Sequence, residues 1–210
     1  MCEPPLLVIM ARAPVCGSVK TRLAKEIGEV RAVALYRTLT ATLLGNVCRD
    51  PRFRTVLAIS PDHAVRARFT AWANGRTIPI LPRIRQGGGN VGERMQRIFA
   101  RCGRGPLVIV GTDIPFVTAA MIVDAFRKLA SADAVFGPAE DGGYWLIGLR
   151  RRPSIPKPFK QVRWSSAHAL ADTVENLRNR RVSVARTLFD IDNAAAYRRY
   201  VLGLSARYAP

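Results

Sequence analysis

Histidine is almost missing from this sequence, with only His63 and His168 present. That excludes zinc sites built from clustered imidazoles and the H-E-x-x-H helix. Any metal chemistry must therefore use carboxylates. Cysteine is also sparse: Cys2, Cys16, Cys48 and Cys102 stand singly with no C-x-x-C pair. They are too few to staple a chain of 210 residues and are read as reduced thiols. No apolar run approaches the roughly 18–20 residues of a membrane span, the longest early one being Leu6 to Met10. Before Arg12 the only charge is Glu3, so a basic secretory leader is lacking and a cytoplasmic protein is expected. There is no Walker loop and no G-x-S-x-G elbow, which removes the usual P-loop and serine-hydrolase signatures.

Acidic residues are scarce relative to basic ones, 15 against 33, giving a net charge of +18. Such a surface attracts polyanions, and nucleic acid is the first partner to consider. The arginines are spread along the whole chain, however, and the clusters at 150–152, 178–181 and 198–199 are short. An arginine-rich solvated face explains them, so nucleic acid is not the expected partner; a non-catalytic nucleic-acid-binding domain stays as a rival of another class. With 49% hydrophobic residues the chain can bury a sizeable core as one domain, 1–210.

Apolar β-branched runs alternate with helical stretches, the pattern of an α/β protein with a parallel sheet. Strands are expected at Leu6–Met10, Val56–Ser60, Ile78–Leu81, Leu107–Val110, Ala134–Phe136 and Tyr144–Leu149. Val33, Leu35, Leu39, Leu43 and Val47 mark an amphipathic helix over 30–47, and further helices are expected at 63–73 (capped by Ser60), 121–130 and 167–179. Polar and glycine-rich loops follow the strands, where open α/β sheets bind ligands. The proline-rich stretch within 150–166 reads as an excursion on the acceptor side.

Four loops carry candidate chemistry. Residues 11–23 bring Arg12, Gly17, Lys20 and Arg22 to the start of a helix, where backbone amides and three cations suit a di- or triphosphate. Gly87 to Gly92 formally matches the dinucleotide fingerprint G-x-G-x-x-G. The preceding Arg83-Ile84-Arg85-Gln86 is too polar for the buried strand that fingerprint needs, so Gly88, Gly89 and Gly92 are read as a flexible loop approaching a ligand, with a nicotinamide oxidoreductase as a third rival. Gly111-Thr112-Asp113-Ile114-Pro115 sets a carboxylate after an apolar strand, suited to Mg²⁺ or Mn²⁺ with phosphates completing the shell. Glu140, Asp141, Gly142 and Gly143, followed by Tyr144 and Trp145, combine acids, tight turns and stacking surfaces. Asp190-Ile191-Asp192-Asn193 precedes a terminal helix, where Asp192 or Asn193 also suits an N-cap.

Taken in order, A-R-x-P-x-x-G-x-V-K-T-R-L, Q-x-G-G-x-x-G-E-R-M, G-T-D-x-P, G-P-A-E-D-G-G-Y-x-L-I-G-L, W-S-S and D-I-D are distinctive. The set resembles a glycosyltransferase-A-like family found near radical-SAM genes, a relative of phospholactate guanylyltransferase, from about Leu6 to Tyr197. The resemblance implies a nucleotide-diphospho-sugar transferase fold, a three-layer α/β/α sandwich with a mostly parallel sheet. It also implies a nucleoside triphosphate or nucleotide sugar as substrate and Mg²⁺ or Mn²⁺ as cofactor. Carried over, Arg12, Gly17, Lys20 and Arg22 would hold phosphates, Asp113, Asp190 and Asp192 the metal, and Glu140 and Asp141 the acceptor, with Trp164 and Ser165 also touching substrate. Lys20, Asp113 and Asp141 are the expected catalytic residues. Two positions depart from the pattern: Cys16 stands where proline is common and Asn90 where aspartate is usual. Nucleotidyl transfer is preferred to glycosyl transfer because three cations in one short loop suit a triphosphate.

Overall fold

The computed structural model describes residues 4–67, 80–102, 105–151 and 154–203. The chain runs β1 (Leu6–Arg12), α1 (Thr21–Ile27), α2 (Glu29–Val47), β2 (Arg54–Ser60), a 3-10 turn (Asp62–Arg66), β3 (Arg83–Arg85), α3 (Val91–Arg101) and β4 (Leu107–Val110). It continues through α4 (Ala119–Lys128), β5 (Ala134–Pro138), β6 (Tyr144–Leu149), α5 (Ala169–Glu175), β7 (Val182–Val184) and α6 (Ala194–Val201).

The strands form one seven-stranded sheet in the order β3-β2-β1-β4-β6-β5-β7. Only β6 runs against the rest, pairing antiparallel with both β4 and β5. β1 alternates Leu7 and Ile9 toward one face with Leu6 and Val8 toward the other, and both faces are covered. The first face packs on α2 and α4 through Leu43, Leu44, Val47, Ile122 and Ala125. The second packs on α3 and α5 through Met95, Ile98, Phe99, Leu170 and Val174. The result is the expected three-layer α/β/α sandwich.

Two corrections concern the β2–α3 region. The strand expected at Ile78–Leu81 is not found at Ile80 and Leu81, and residues 78 and 79 lie outside the described residues. The strand is instead Arg83–Arg85, at the sheet edge, where alternating arginines are tolerated because only one side is paired. The helix expected over 63–73 begins as a 3-10 turn that Ser60 does not cap, while residues 68–73 lie outside the described residues. The helix expected over 167–179 is shorter, at Ala169–Glu175.

Local chemistry explains where other helices start. Asn90 accepts a hydrogen bond from Glu93 N at 3.0 Å while its own N–H donates to Glu93 Oε2 at 2.9 Å, a complete capping box for α3. Thr118 caps α4 and Asn193 caps α6, the latter accepting from Ala196 N at 2.9 Å. Asp192 is thereby free of the capping role.

Candidate active site

With β6 alone reversed, the carboxyl ends of the other strands share one edge with the start of β6. A cleft of about 580 Å³ opens there. The β1–α1 loop forms one wall. Its turn is held by Ala13 N donating to Ser60 O at 2.7 Å and by Ser18 Oγ donating to Val15 O at 2.7 Å. Lys20 ends the loop in the left-handed region, φ 49° and ψ 41°, unusual for a residue with a side chain. Its side chain is only 3% exposed, and Nζ lies 2.7 Å from Asp192 Oδ1 and 3.6 Å from Asp113 Oδ2.

This ammonium and four carboxylates form the charged centre. Burial works against the Lys20 charge, but Asp113, Asp192 and Asp190 outweigh it and hold its pKa above the ordinary lysine value. Burial likewise opposes ionisation of Asp192, yet Lys20 beside it brings the carboxyl below the usual range. At Asp190 the Lys20 charge is outweighed: burial, then the charges of Asp192, Asp141 and Asp113, push it up to about 7. Asp113 sits on the turn after β4, and its Oδ1 folds back over Gly111, where a Cβ would lie 2.8 Å from it. Ile191 N donates to Asp113 O at 3.4 Å, joining the 190–192 segment to that turn.

The donor set fits a hard divalent cation. Asp113 and Asp192 converge on one ammonium-sized space with only oxygen donors, and Asp190 adds a third carboxyl close by. Among the described residues no group of three or more such side chains forms a full cage. That suits a cation taken by one or two carboxylates with phosphate oxygens supplying the remainder.

The other candidate residues divide. Arg12, Arg22, Asp141, Gly143, Trp164, Ser165 and Asp190 line the same cleft as Lys20, Asp113 and Asp192. Gly17, Gly88, Gly89, Gly92, Glu140 and Gly142 do not. Glu140 pairs with Arg199 of α6, at 2.6 and 3.1 Å. Gly142 permits close packing: a Cβ there would stand 2.3 Å from Ala167 O, and φ is +84°. Gly92 does the same for α3, since a Cβ would meet Trp164 Cζ2 at 2.4 Å. The loop 86–89 turns its carbonyls onto α3, with Arg97 Nη1 donating to Gln86 O at 2.6 Å and Arg94 Nε to Gly89 O at 2.9 Å.

Sequence reading missed Tyr36, Gln86 and Arg94, which also line the cleft. The buried Tyr36 hydroxyl accepts from Arg12 N at 2.8 Å and from Thr112 Oγ1 at 2.9 Å, and donates to Arg12 O at 3.1 Å. Burial pushes its pKa up, so it remains a protonated donor. Gln86 donates to Ala11 O at 3.1 Å and Ala58 O at 2.7 Å, fixing the ends of β1 and β2 together. The signal available in sequence was the Q-x-G-G-x-x-G-E-R-M string, whose polar members flank the glycines. Trp164, also lining the cleft, meets Tyr144 edge-on at 6.5 Å and Phe159 at 6.1 Å, giving the cleft an aromatic side.

The sheet order, its one reversed strand and a polar cleft at the carboxyl edge define a nucleotide-diphospho-sugar transferase, GT-A-like fold. The chain belongs to the DUF2064 family, described as an uncharacterized protein conserved in bacteria, whose profile matches residues 43–166. It is similar to the crystal structure of a candidate nucleotide-diphospho-sugar transferase from Desulfovibrio desulfuricans G20, at 28% identity and a TM-score of 0.87, covering 99% of this chain and 90% of that one. Two more distant structures share the fold. One is CMP:2-keto-3-deoxy-manno-octonic acid synthetase complexed with CTP, at 11% identity, TM-score 0.54, and 99% and 100% coverage. The other is a mannosyltransferase from Pyrobaculum calidifontis in complex with GDP-Man and Mn²⁺, at 11% identity and TM-score 0.54, covering 90% of this chain and 57% of that one. Comparison with curated proteins gives no match.

Proposed function

We propose that the protein is a metal-dependent transferase that uses a nucleoside triphosphate and releases pyrophosphate. The observation that carries this reading is the convergence of Arg12, Lys20 and Arg22 with Asp113 and Asp192 in one cleft. Three cations on one loop match the charge of a triphosphate chain better than that of a diphosphate bridge. The same fold carries a CTP complex in the octonic acid synthetase and a GDP-Man and Mn²⁺ complex in the mannosyltransferase. The kinship to phospholactate guanylyltransferase suggested by K-T-R-L at 20–23 favours the first of these chemistries.

In this reading Arg12 and Arg22 hold the phosphate chain and Lys20 neutralises it as negative charge develops on the leaving group. Asp113 and Asp192, with Asp190 behind them, would hold Mg²⁺ or Mn²⁺. The bound cation would supply Lewis-acid polarisation of phosphate oxygens. Asp141, whose carboxylate accepts from Gly143 N at 2.8 Å, orients the acceptor. An acceptor oxygen then bonds to the α-phosphorus as the bond to the bridging oxygen breaks, and pyrophosphate departs. Trp164 and Ser165, which line the cleft, support reading the stretch that ends in them as the acceptor side of a single domain, and we assign the reaction to the cytoplasm, where nucleoside triphosphates are held.

Isothermal titration of the four nucleoside triphosphates and a set of nucleotide sugars, all with Mn²⁺, tests this. One triphosphate should bind, and Arg22→Ala should weaken it at least about tenfold, about 1.4 kcal/mol. Binding of a nucleotide sugar with no triphosphate binding would overturn nucleotidyl transfer in favour of glycosyl transfer.

A further inference from the structure

Building on the metal and nucleotide reading above, we propose that Lys20 is a built-in competitor of the divalent cation. In the nucleotide-free protein its ammonium fills the space between Asp113 and Asp192, and a phosphate chain must draw it off before those carboxylates take the metal.

A lysine at the surface start of a helix ordinarily leaves its ammonium in water. Lys20 instead buries its side chain, 3% exposed, to reach a residue 172 positions away, with Nζ at 2.7 Å from Asp192 Oδ1 and 3.6 Å from Asp113 Oδ2. A divalent ion coordinating those oxygens at about 2.0–2.2 Å would lie within a few ångströms of the ammonium, where two positive charges repel strongly in a partly buried site. The two cations are therefore alternatives at Asp192. What keeps Lys20 there is the pair of acids: its backbone is left-handed and its residue makes no side-chain cap on α1. Phosphate oxygens compete with carboxylates for such an ammonium on equal chemical terms. Arg12 and Arg22, which line the same cleft, are positioned to bring a phosphate chain alongside. Free protein then binds metal weakly, whereas nucleotide and metal promote each other's binding by the same factor.

The test is Mn²⁺ binding, followed by electron paramagnetic resonance of free Mn²⁺, on the full chain without nucleotide. Lys20→Met keeps the length and removes the charge, and should bind Mn²⁺ at least tenfold more tightly than wild type. Lys20→Arg keeps the charge and should stay weak. Adding inorganic tripolyphosphate to wild type, with its own Mn²⁺ chelation subtracted, should raise Mn²⁺ affinity, and should do so less in Lys20→Met. If Lys20→Met proves too unstable to titrate, Lys20→Gln, which also removes the charge, takes its place with the same expectation. Equal or weaker Mn²⁺ binding by Lys20→Met, or no tripolyphosphate effect on wild type, would overturn the inference. Because the metal titration contains no nucleotide, tighter Mn²⁺ binding by Lys20→Met in a protein that responds to tripolyphosphate but ignores every nucleoside triphosphate would sustain the competition and sink the nucleotidyltransferase reading.

Discussion

The hydroxyl of Tyr36 stands 2.9 Å from Thr112 Oγ1 and takes the backbone N–H of Arg12 at 2.8 Å, tying the β1–α1 loop to the turn that carries Asp113. One buried phenol on α2 thus sets the separation between the cationic and the acidic halves of the cleft. Tyr36→Phe keeps the ring and removes the hydroxyl, leaving the Arg12 N–H and the Thr112 hydroxyl without this partner. Leaving buried polar groups unpaired costs about 1–3 kcal/mol. Urea unfolding should show a loss in that range; a midpoint unchanged from wild type would mean that water replaces the phenol.

Gly92→Ala sets two opposing effects against each other. Alanine gains about 1 kcal/mol over glycine in a helix interior, and no more than that at this second position of α3. Its Cβ, however, would lie 2.4 Å from Trp164 Cζ2 and 2.9 Å from Phe159 Cβ, and neither is the flexible end of a side chain. Overpacking of this kind costs about 1–3 kcal/mol, so a net loss of stability with altered tryptophan fluorescence is expected. A stabilised variant with unchanged emission would show that Trp164 yields freely.

Asn90 answers one question raised by its departure from aspartate. Both residues are equally good N-caps, so Asn90→Asp should leave the melting temperature nearly unchanged. Asn90→Ala loses the bond to Glu93 N and should cost about 1 kcal/mol. A large effect of Asn90→Asp would point to a carboxylate role beyond capping.

Acid stability offers a further check through Asp172. Hydrogen bonds from the Arg163 side chain and then its backbone lower this carboxyl to about 2. A carboxyl depressed in the folded state stabilises above its unfolded pKa of about 3.9, and that contribution is lost as pH falls toward 2. Asp172→Asn should therefore flatten the stability profile between about pH 4 and pH 2, with Asp50, also near 2 because of Arg52, keeping some slope. Both pairs lie at the surface with exposed arginine partners, so the effect should shrink in high salt. An identical profile for Asp172→Asn would remove the Arg163 pair from the account.

How much of this was legible in the sequence depends on range. Strands such as Leu107–Val110 and Tyr144–Leu149 announce themselves because both faces are buried and every position is apolar. Val182–Val184 escaped because three residues flanked by arginines make no pattern. Arg83–Arg85 escaped because an edge strand can be polar. That the β1–α1 loop and Asp113 would face a cleft could be read from local spacing. The bond between Lys20 and Asp192 could not, since only the fold brings residues 172 positions apart together. Tyr36 was hidden for another reason: in a buried helix face a phenol reads as core, and its polar tip shows only when Arg12 and Thr112 are found around it. Glu140 and Asp141 looked alike, yet the turn sends the first to Arg199 and the second into the cleft.

The central claim, that Asp113 and its partners join a nucleotide to a divalent ion, is tested most directly by thermal melting with each nucleoside triphosphate, with and without Mn²⁺, on wild type and Asp113→Ala. A ligand at about 100 times its dissociation constant adds about 2.7 kcal/mol, a readily measured rise in melting temperature. Wild type should gain that shift with one triphosphate only when Mn²⁺ is present, and Asp113→Ala should lose the metal-dependent part while still folding. A shift that is the same without metal, or that survives intact in Asp113→Ala, would contradict the account.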